Sequence, residues 1–272
     1  MNTMPTFLPR PMVSVLCMLA VLLSAAVAGL GCQGTPAQGP ARVARAPQAP
    51  EEFRTTVRAP LHMRFQLFLP REYGLDPALR WPTILFLHGA GERGEDIAAV
   101  KVHGPPKVAE REAGFPFIVV SPQCPSGAAW RDEDLNALLD HVLATWAVDP
   151  DRVYLTGLSM GGFGAWSLAQ ASPQRFAAVV PICGGGSAIR ARLMDDGEAA
   201  RALRALPFWA FHGAKDTVVD PAESQRMVDA LREFGCDVRF TIDPDAGHDA
   251  WTKAYDDPAL YAWMLTNVRG QS

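Results

Sequence analysis

The sequence has few cysteines and lacks the spacings that would organise a metal site or a disulfide framework. Its five cysteines are Cys17, Cys32, Cys124, Cys183 and Cys236, with no C-x-x-C pair and no Cys/His run at ligand spacing. No metal and no cofactor is therefore expected, and Cys124, Cys183 and Cys236 are expected as free buried thiols. A basic run is missing too. The 25 Lys and Arg are scattered among 29 Asp and Glu, for a net charge of -4, which gives no electrostatic footprint for nucleic acid. There is no internal repeat, and the one Gly-rich loop lacks the Lys-Ser/Thr of a phosphate cradle. Apolar residues, by contrast, make up 49% of the 272, enough for the core of one large domain.

Residues 1–31 read as a signal peptide. Arg10 is the one charge before an uncharged run from Met12 to Leu30, whose end is rich in small residues. Ala26-Val27-Ala28 suits ordinary signal peptidase. Gly31-Cys32 resembles the end of a bacterial lipobox, with Cys32 as the lipidated residue, although Gly29 stands where Leu is usual. Either route places the protein outside the cytoplasm, as a cell-envelope lipoprotein or a secreted or periplasmic protein. Membrane attachment is expected only through such a lipid anchor. Residues 32–50, rich in Pro, Ala and Gly, read as a linker that cannot bury a core. The folded body is expected over 51–272.

Within that body, strand patterns alternate with helix patterns. Strands are expected over 63–69, 82–88, 115–121, 152–156, 176–183, 208–212 and 238–242. Helices are expected over 132–148, 160–171, 221–234 and 258–268, with a helical stretch from the glycines after Cys183 to about Leu206. The apolar runs around Ile84 and Val119 suit strands buried on both faces of a parallel sheet. Together these predict a doubly wound, mostly parallel α/β sheet flanked by helices. In such sheets ligands bind beyond the carboxyl ends of the strands.

Gly157-Leu-Ser159-Met-Gly161 sits between a strand and a helix, the order a nucleophile elbow requires. Serine is a poor nucleophile unless a base takes its proton and an acid orients that base. Among six histidines, His248 follows the last strand in a Gly-His loop and is the best base. Asp216 follows the strand ending at His212 and is the best acid. Asp220 is its rival, but it reads as the N-cap of the helix opened by Pro221. Two N–H donors are needed for the oxyanion. Met160 offers one, and Ala90, or failing it Gly91, offers the other. His88 and His212 end strands and read as shaping their turns; His103 has no evident partner.

With these residues placed, the sequence resembles the α/β-hydrolase superfamily. More narrowly, it is similar to bacterial esterases often labelled "predicted peptidase", relatives of the dienelactone hydrolase, feruloyl esterase and prolyl-oligopeptidase groups. The resemblance is carried by F-L-H-G-A-G-E-R-G, S-P-Q-C-P…W, D-R-V-Y-L-T-G-L-S-M-G-G-F-G-A-W, F-H-G-A-K-D and G-H-D-A-W. It implies carboxylic-ester hydrolysis through an acyl-enzyme, with Ser159 as nucleophile, Asp216 as acid and His248 as base. It also implies that Trp130 and Trp251 lie near the pocket, where the alternative is ordinary packing. Dienelactone hydrolases proper carry Cys at the nucleophile; Ser159 departs from that. The expected substrate is a small-molecule or polysaccharide-linked ester, such as a short-chain, feruloyl or acetyl ester, in a cleft with a short cap or none. Two other readings stay open: a small serine peptidase of prolyl-oligopeptidase type, and a non-catalytic, surface-tethered binding module on the same fold.

Overall fold

The computed structural model describes residues 60–271. The expected leader, the linker with Cys32, and the start of the body lie outside the described residues.

An interior strand of the sheet is β2 (Trp81–Leu87), whose residues from Ile84 to Leu87 are all buried. Side chains alternate across a strand, so Leu85 and Leu87 enter one apolar layer and Ile84 and Phe86 the other. Burying each such side chain contributes about 1.5–3 kcal/mol. Around β2 stand β1 (Phe65–Phe68), β3 (Ile118–Pro122), β4 (Val148–Leu158), β5 (Ala178–Ile182), β6 (Phe208–Gly213) and β7 (Val238–Asp243). Their order is β1-β3-β2-β4-β5-β6-β7. Only β1 is antiparallel, pairing Phe65 with Pro122. The remaining neighbours are parallel.

One layer packs α2 (Asp132–Thr145), α3 (Met160–Ala171) and α6 (Pro221–Phe234) on the sheet. The other packs α1 (Gly104–Arg111), α7 (Trp251–Asp256) and α8 (Pro258–Thr266). Two short helices, α4 (Ala188–Arg192) and α5 (Glu198–Ala205), occupy the stretch between β5 and β6. α4 lies against α6, and α5 against the 3-10 turn Pro173–Arg175. The expected doubly wound parallel sheet with little or no cap is what is found.

The bounds of several elements differ from the sequence pattern: α2 ends at Thr145, not at 148, β3 begins at Ile118, not at 115, and α7 falls where the pattern names no element. β4 starts at Val148, not at 152, and runs through Asp149-Pro150. Trp81 pairs with Val148 and the register then shifts before Thr83 meets Val153. Pro150 lies in this irregular, exposed part of the strand, where a missing N–H breaks no ladder bond. α1 lies between Asp96 and Phe115, where the pattern names no element. Pro105 and Pro106 stand at its first turn, where proline's missing N–H would have no helical partner anyway. The stretch after Cys183 forms two helices, broken at 193–197.

Candidate active site

The turn between β4 and α3 positions Ser159. Its backbone has φ 52° and ψ -118°, a strained conformation for a residue with a side chain. Two bonds hold the turn: Ser159 N–H donates to Ile182 O at 2.9 Å, and Phe163 N–H donates to Ser159 O at 3.1 Å. The close packing explains Gly161, where a Cβ would fall 1.9 Å from the Leu87 carbonyl oxygen.

The loops after β6 and β7 bring the other two residues to Ser159. His248 Nε2 lies 2.9 Å from Ser159 Oγ, and His248 Nδ1 lies 2.7 Å from Asp216 Oδ2. Asp216 Oδ1 accepts the N–H groups of Val218 and Val219, both at 2.9 Å. Those bonds assign Nδ1–H to His248 and leave Nε2 as acceptor for the serine proton. The Asp216 side chain is fully buried, and that of His248 is 19% exposed. Burial pushes the Asp216 carboxyl up, but hydrogen bonds from His248, Val219 and Val218, with the attraction of His248, outweigh it. The carboxyl therefore lies below the ordinary carboxylate range. Asp220 does what its position suggests, capping α6 by accepting Ala222 N–H at 2.9 Å.

The loop after β2 passes beside the serine. A Cβ at Gly89 would lie 3.5 Å from Ser159 Cβ and 2.8 Å from Leu158 Cδ1. Ala90 opens a 3-10 turn, Ala90–Glu92, and Met160 opens α3. The first N–H groups of a helix have no partner within it, so both residues offer donors. Gly91 is exposed, and a Cβ there would meet open space.

Several residues hold this loop, and of them the sequence pattern singled out only His88, as shaping its turn. Glu92 Oε2 accepts Gly89 N–H at 2.9 Å. His88 is buried; its Nδ1 donates to Gly89 O at 2.6 Å and its Nε2 accepts Cys124 N–H at 3.0 Å. Burial lowers the His88 pKa, outweighing the Gly89 bond and the nearby Glu92 charge, which matches the neutral ring those two bonds require. Gln123 donates to Glu92 O. The signal available in the sequence was only the density of polar residues in H-G-A-G-E-R-G and S-P-Q-C; their partners are 31 to 36 positions apart.

The two tryptophans differ. Trp130 Nε1–H donates to His88 O at 3.1 Å, and its ring meets His88 edge-on at 4.9 Å. These contacts give it a packing role in bracing the loop. Trp251 stands edge-on to His248 at 5.0 Å and to His103 at 5.7 Å. His103 thus does have partners, since its Nε2 is also 3.8 Å from Glu92 Oε1. Cys124, Cys183 and Cys236 are free and buried. A cleft of about 740 Å³ lies elsewhere. Asp151, Phe176, Pro207 and Asp237 line it, at the amino ends of the parallel strands.

A strained serine between strand and helix, at the carboxyl edge of this strand order, defines an α/β-hydrolase. A family model described as Phospholipase/Carboxylesterase matches residues 117–258, more than half of the chain and a span that includes Ser159, Asp216 and His248. The chain belongs to that family. Poly(3-hydroxyalkanoate) depolymerase C of Paucimonas lemoignei is 41% identical over 161 residues, 49% of this chain and 38% of that protein. This chain thus spans well under two thirds of that relative. Among solved structures, a thermostable esterase is 28% identical with a TM-score of 0.61, over 76% of this chain and 60% of that one. A ferulic acid esterase shares the fold at 18% identity and a TM-score of 0.60, over 75% and 91%.

Proposed function

We propose that the chain is an exported serine hydrolase that cleaves carboxylic esters through an acyl-enzyme. One observation carries this reading: the unbroken line Ser159 Oγ–His248 Nε2 at 2.9 Å and His248 Nδ1–Asp216 Oδ2 at 2.7 Å. In the first half-reaction His248 takes the Ser159 proton as Oγ attacks the ester carbonyl carbon. The carbonyl oxygen becomes an oxyanion facing the N–H groups of Met160 and Ala90, with Gly91 the alternative to Ala90. His248 then gives its proton to the leaving alcohol, and the acyl group stays on Ser159. Water, deprotonated by His248, releases the acid by the same steps in reverse. Asp216 holds the imidazole in the one tautomer that works in both directions.

The substrate class in this reading is a short-chain, aryl or carbohydrate ester, such as a feruloyl or acetyl ester. Trp251, beside His248, is the aromatic residue that would meet the leaving group. The likeness to a poly(3-hydroxyalkanoate) depolymerase favours a second substrate within the same chemistry, an aliphatic polyester of 3-hydroxy acids. Export and lipidation of Cys32 rest on the leader alone; the mass of the mature N-terminus tests them.

Turnover of p-nitrophenyl butyrate, methyl ferulate and poly(3-hydroxybutyrate) particles compares the substrates. Ser159→Ala is expected to lower ester turnover by about 10⁶ and to abolish labelling by a fluorophosphonate. Cleavage of peptides with no ester turned over would favour the peptidase. No turnover and no labelling would leave a binding module.

A further inference from the structure

His212 ends β6, and the triad residues do not require it, yet it touches the same carboxylate oxygen as His248. Residues 208, 210 and 212 face the layer that holds α6, as alternation along the strand requires. The side chain is fully buried. Its Nε2 lies 3.1 Å from Asp216 Oδ2 and 3.0 Å from Val219 O. Its Nδ1 lies 2.7 Å from Ser224 Oγ, which in turn lies 2.6 Å from Gly184 O.

The protons in this cluster can be counted. Nε2 faces a carboxylate and a carbonyl, both acceptors, so it carries a proton. Gly184 O is also only an acceptor, and a serine hydroxyl has one proton. If Ser224 gives that proton to Gly184 O, Nδ1 must donate to Ser224 Oγ. If Ser224 gives it to Nδ1, two oxygen lone pairs face each other at 2.6 Å. A neutral ring leaves one contact repulsive in every arrangement, and an unmade bond in a buried cluster is costly. With both ring nitrogens protonated, all four contacts are hydrogen bonds.

The titratable groups around the ring fit a cation. Among the described residues, Asp216 is the carboxylate hydrogen-bonded to it. Cys183, just past the end of β5, brings its Sγ within 4.8 Å, and burial pushes that thiol up to about 12, so it is neutral. From α6 the facing group is the Ser224 hydroxyl. His248, from the loop after β7, lies beyond Asp216. Cys183, His212 and Asp216 also have metal-ligand atoms, but Asp216 Oδ2 is already occupied by two histidines. An ion there would draw it away from His248.

We propose that His212 is a positioning residue: a buried imidazolium that shares Asp216 Oδ2 with His248. It fixes the carboxylate at the same oxygen that the base uses. It also takes up part of the carboxylate's charge, so that His248 gives up its proton more readily. This rests on Asp216 being the triad acid, as set out above.

Full-chain protein containing ¹⁵N-histidine tests the protonation without any substrate. In a long-range ¹⁵N–¹H spectrum at neutral pH, both ring nitrogens of His212, assigned by their loss in His212→Gln, should resonate as protonated. An unprotonated nitrogen on His212 overturns the proposal. His212→Gln retains an N–H aimed at Asp216 and removes the charge, together with the Nδ1–H bond to Ser224. Its kcat/KM profile should lose activity on the acid side, the limb moving to higher pH by about 1 or more. A limb that does not move, or moves to lower pH, overturns the charge sharing. If the native protein turns over no ester, the functional reading fails, while the spectrum still decides His212.

Discussion

Asp216→Asn tests how the site is wired. The native carboxylate makes four contacts, all as acceptor. Oδ1 takes two backbone N–H groups at 2.9 Å; Oδ2 takes His248 at 2.7 Å and His212 at 3.1 Å. An asparagine matches the shape but has one acceptor oxygen. If that oxygen keeps the Val218 and Val219 bonds, the amide NH₂ points at His248 Nδ1–H, donor against donor. The least costly relief is for His248 to move its proton to Nε2. That nitrogen then has no lone pair for the Ser159 proton. The same exchange in a serine protease costs about 10⁴ in kcat, equivalent to about 5 kcal/mol at 1.36 kcal/mol per tenfold. The assay is p-nitrophenyl butyrate hydrolysis across a pH series. It should show kcat down by roughly 10⁴ at neutral pH, KM changed by no more than a few-fold, and labelling of Ser159 by a fluorophosphonate slowed in parallel. A loss under tenfold with the pH profile unchanged would mean that Asp216 does not set the tautomer of His248.

Two further outcomes follow from packing and burial. Cys183 and Cys236 are buried, and burial pushes both thiols from 9.0 to about 12. They should resist thiol reagents in the folded protein and react on denaturation. A folded-state pKa above the unfolded one contributes stability that is fully present below about 9 and is lost as pH rises from there towards about 12. Urea midpoints measured across that range should therefore fall, and Cys183→Ala should flatten the fall; a flat native curve would contradict the burial. Gly161→Ala would place a methyl 1.9 Å from Leu87 O and 2.8 Å from His88 O, both backbone atoms at the end of β2 and its exit. Overpacking a core costs about 1–3 kcal/mol, and this rigid contact belongs at or above the top of that range. Chemical denaturation measures it, and a change under about 0.5 kcal/mol would show that the elbow is looser than described.

The alternation of strands and helices follows from local patterns. Continuous apolar runs around Ile84 and Val119 marked strands buried on both faces, and Asp220-Pro221 marked the start of α6. Where local signals conflict, tertiary contacts decide. Asp149-Pro150 looks like a stop, but pairing of Trp81 with Val148 draws it into β4. Gly104-Pro105-Pro106 looks like a break, and it starts α1 instead.

The sequence by itself determined that a strand–Ser159–helix turn, an Asp after β6 and a His after β7 would share one edge of one sheet. In a parallel sheet every strand that ends in such a loop ends on the same side, so chain order alone carries that information. Only the tertiary structure decided which atoms meet. That His212 turns its ring towards Asp216 and that Glu92 takes the Gly89 N–H depend on side-chain directions, and that Trp130 braces His88 depends on a contact between separate segments. Nothing in the spacing of a chain encodes a hydrogen bond of 3.1 Å between loops; the packing of the layers on either side of the sheet sets it.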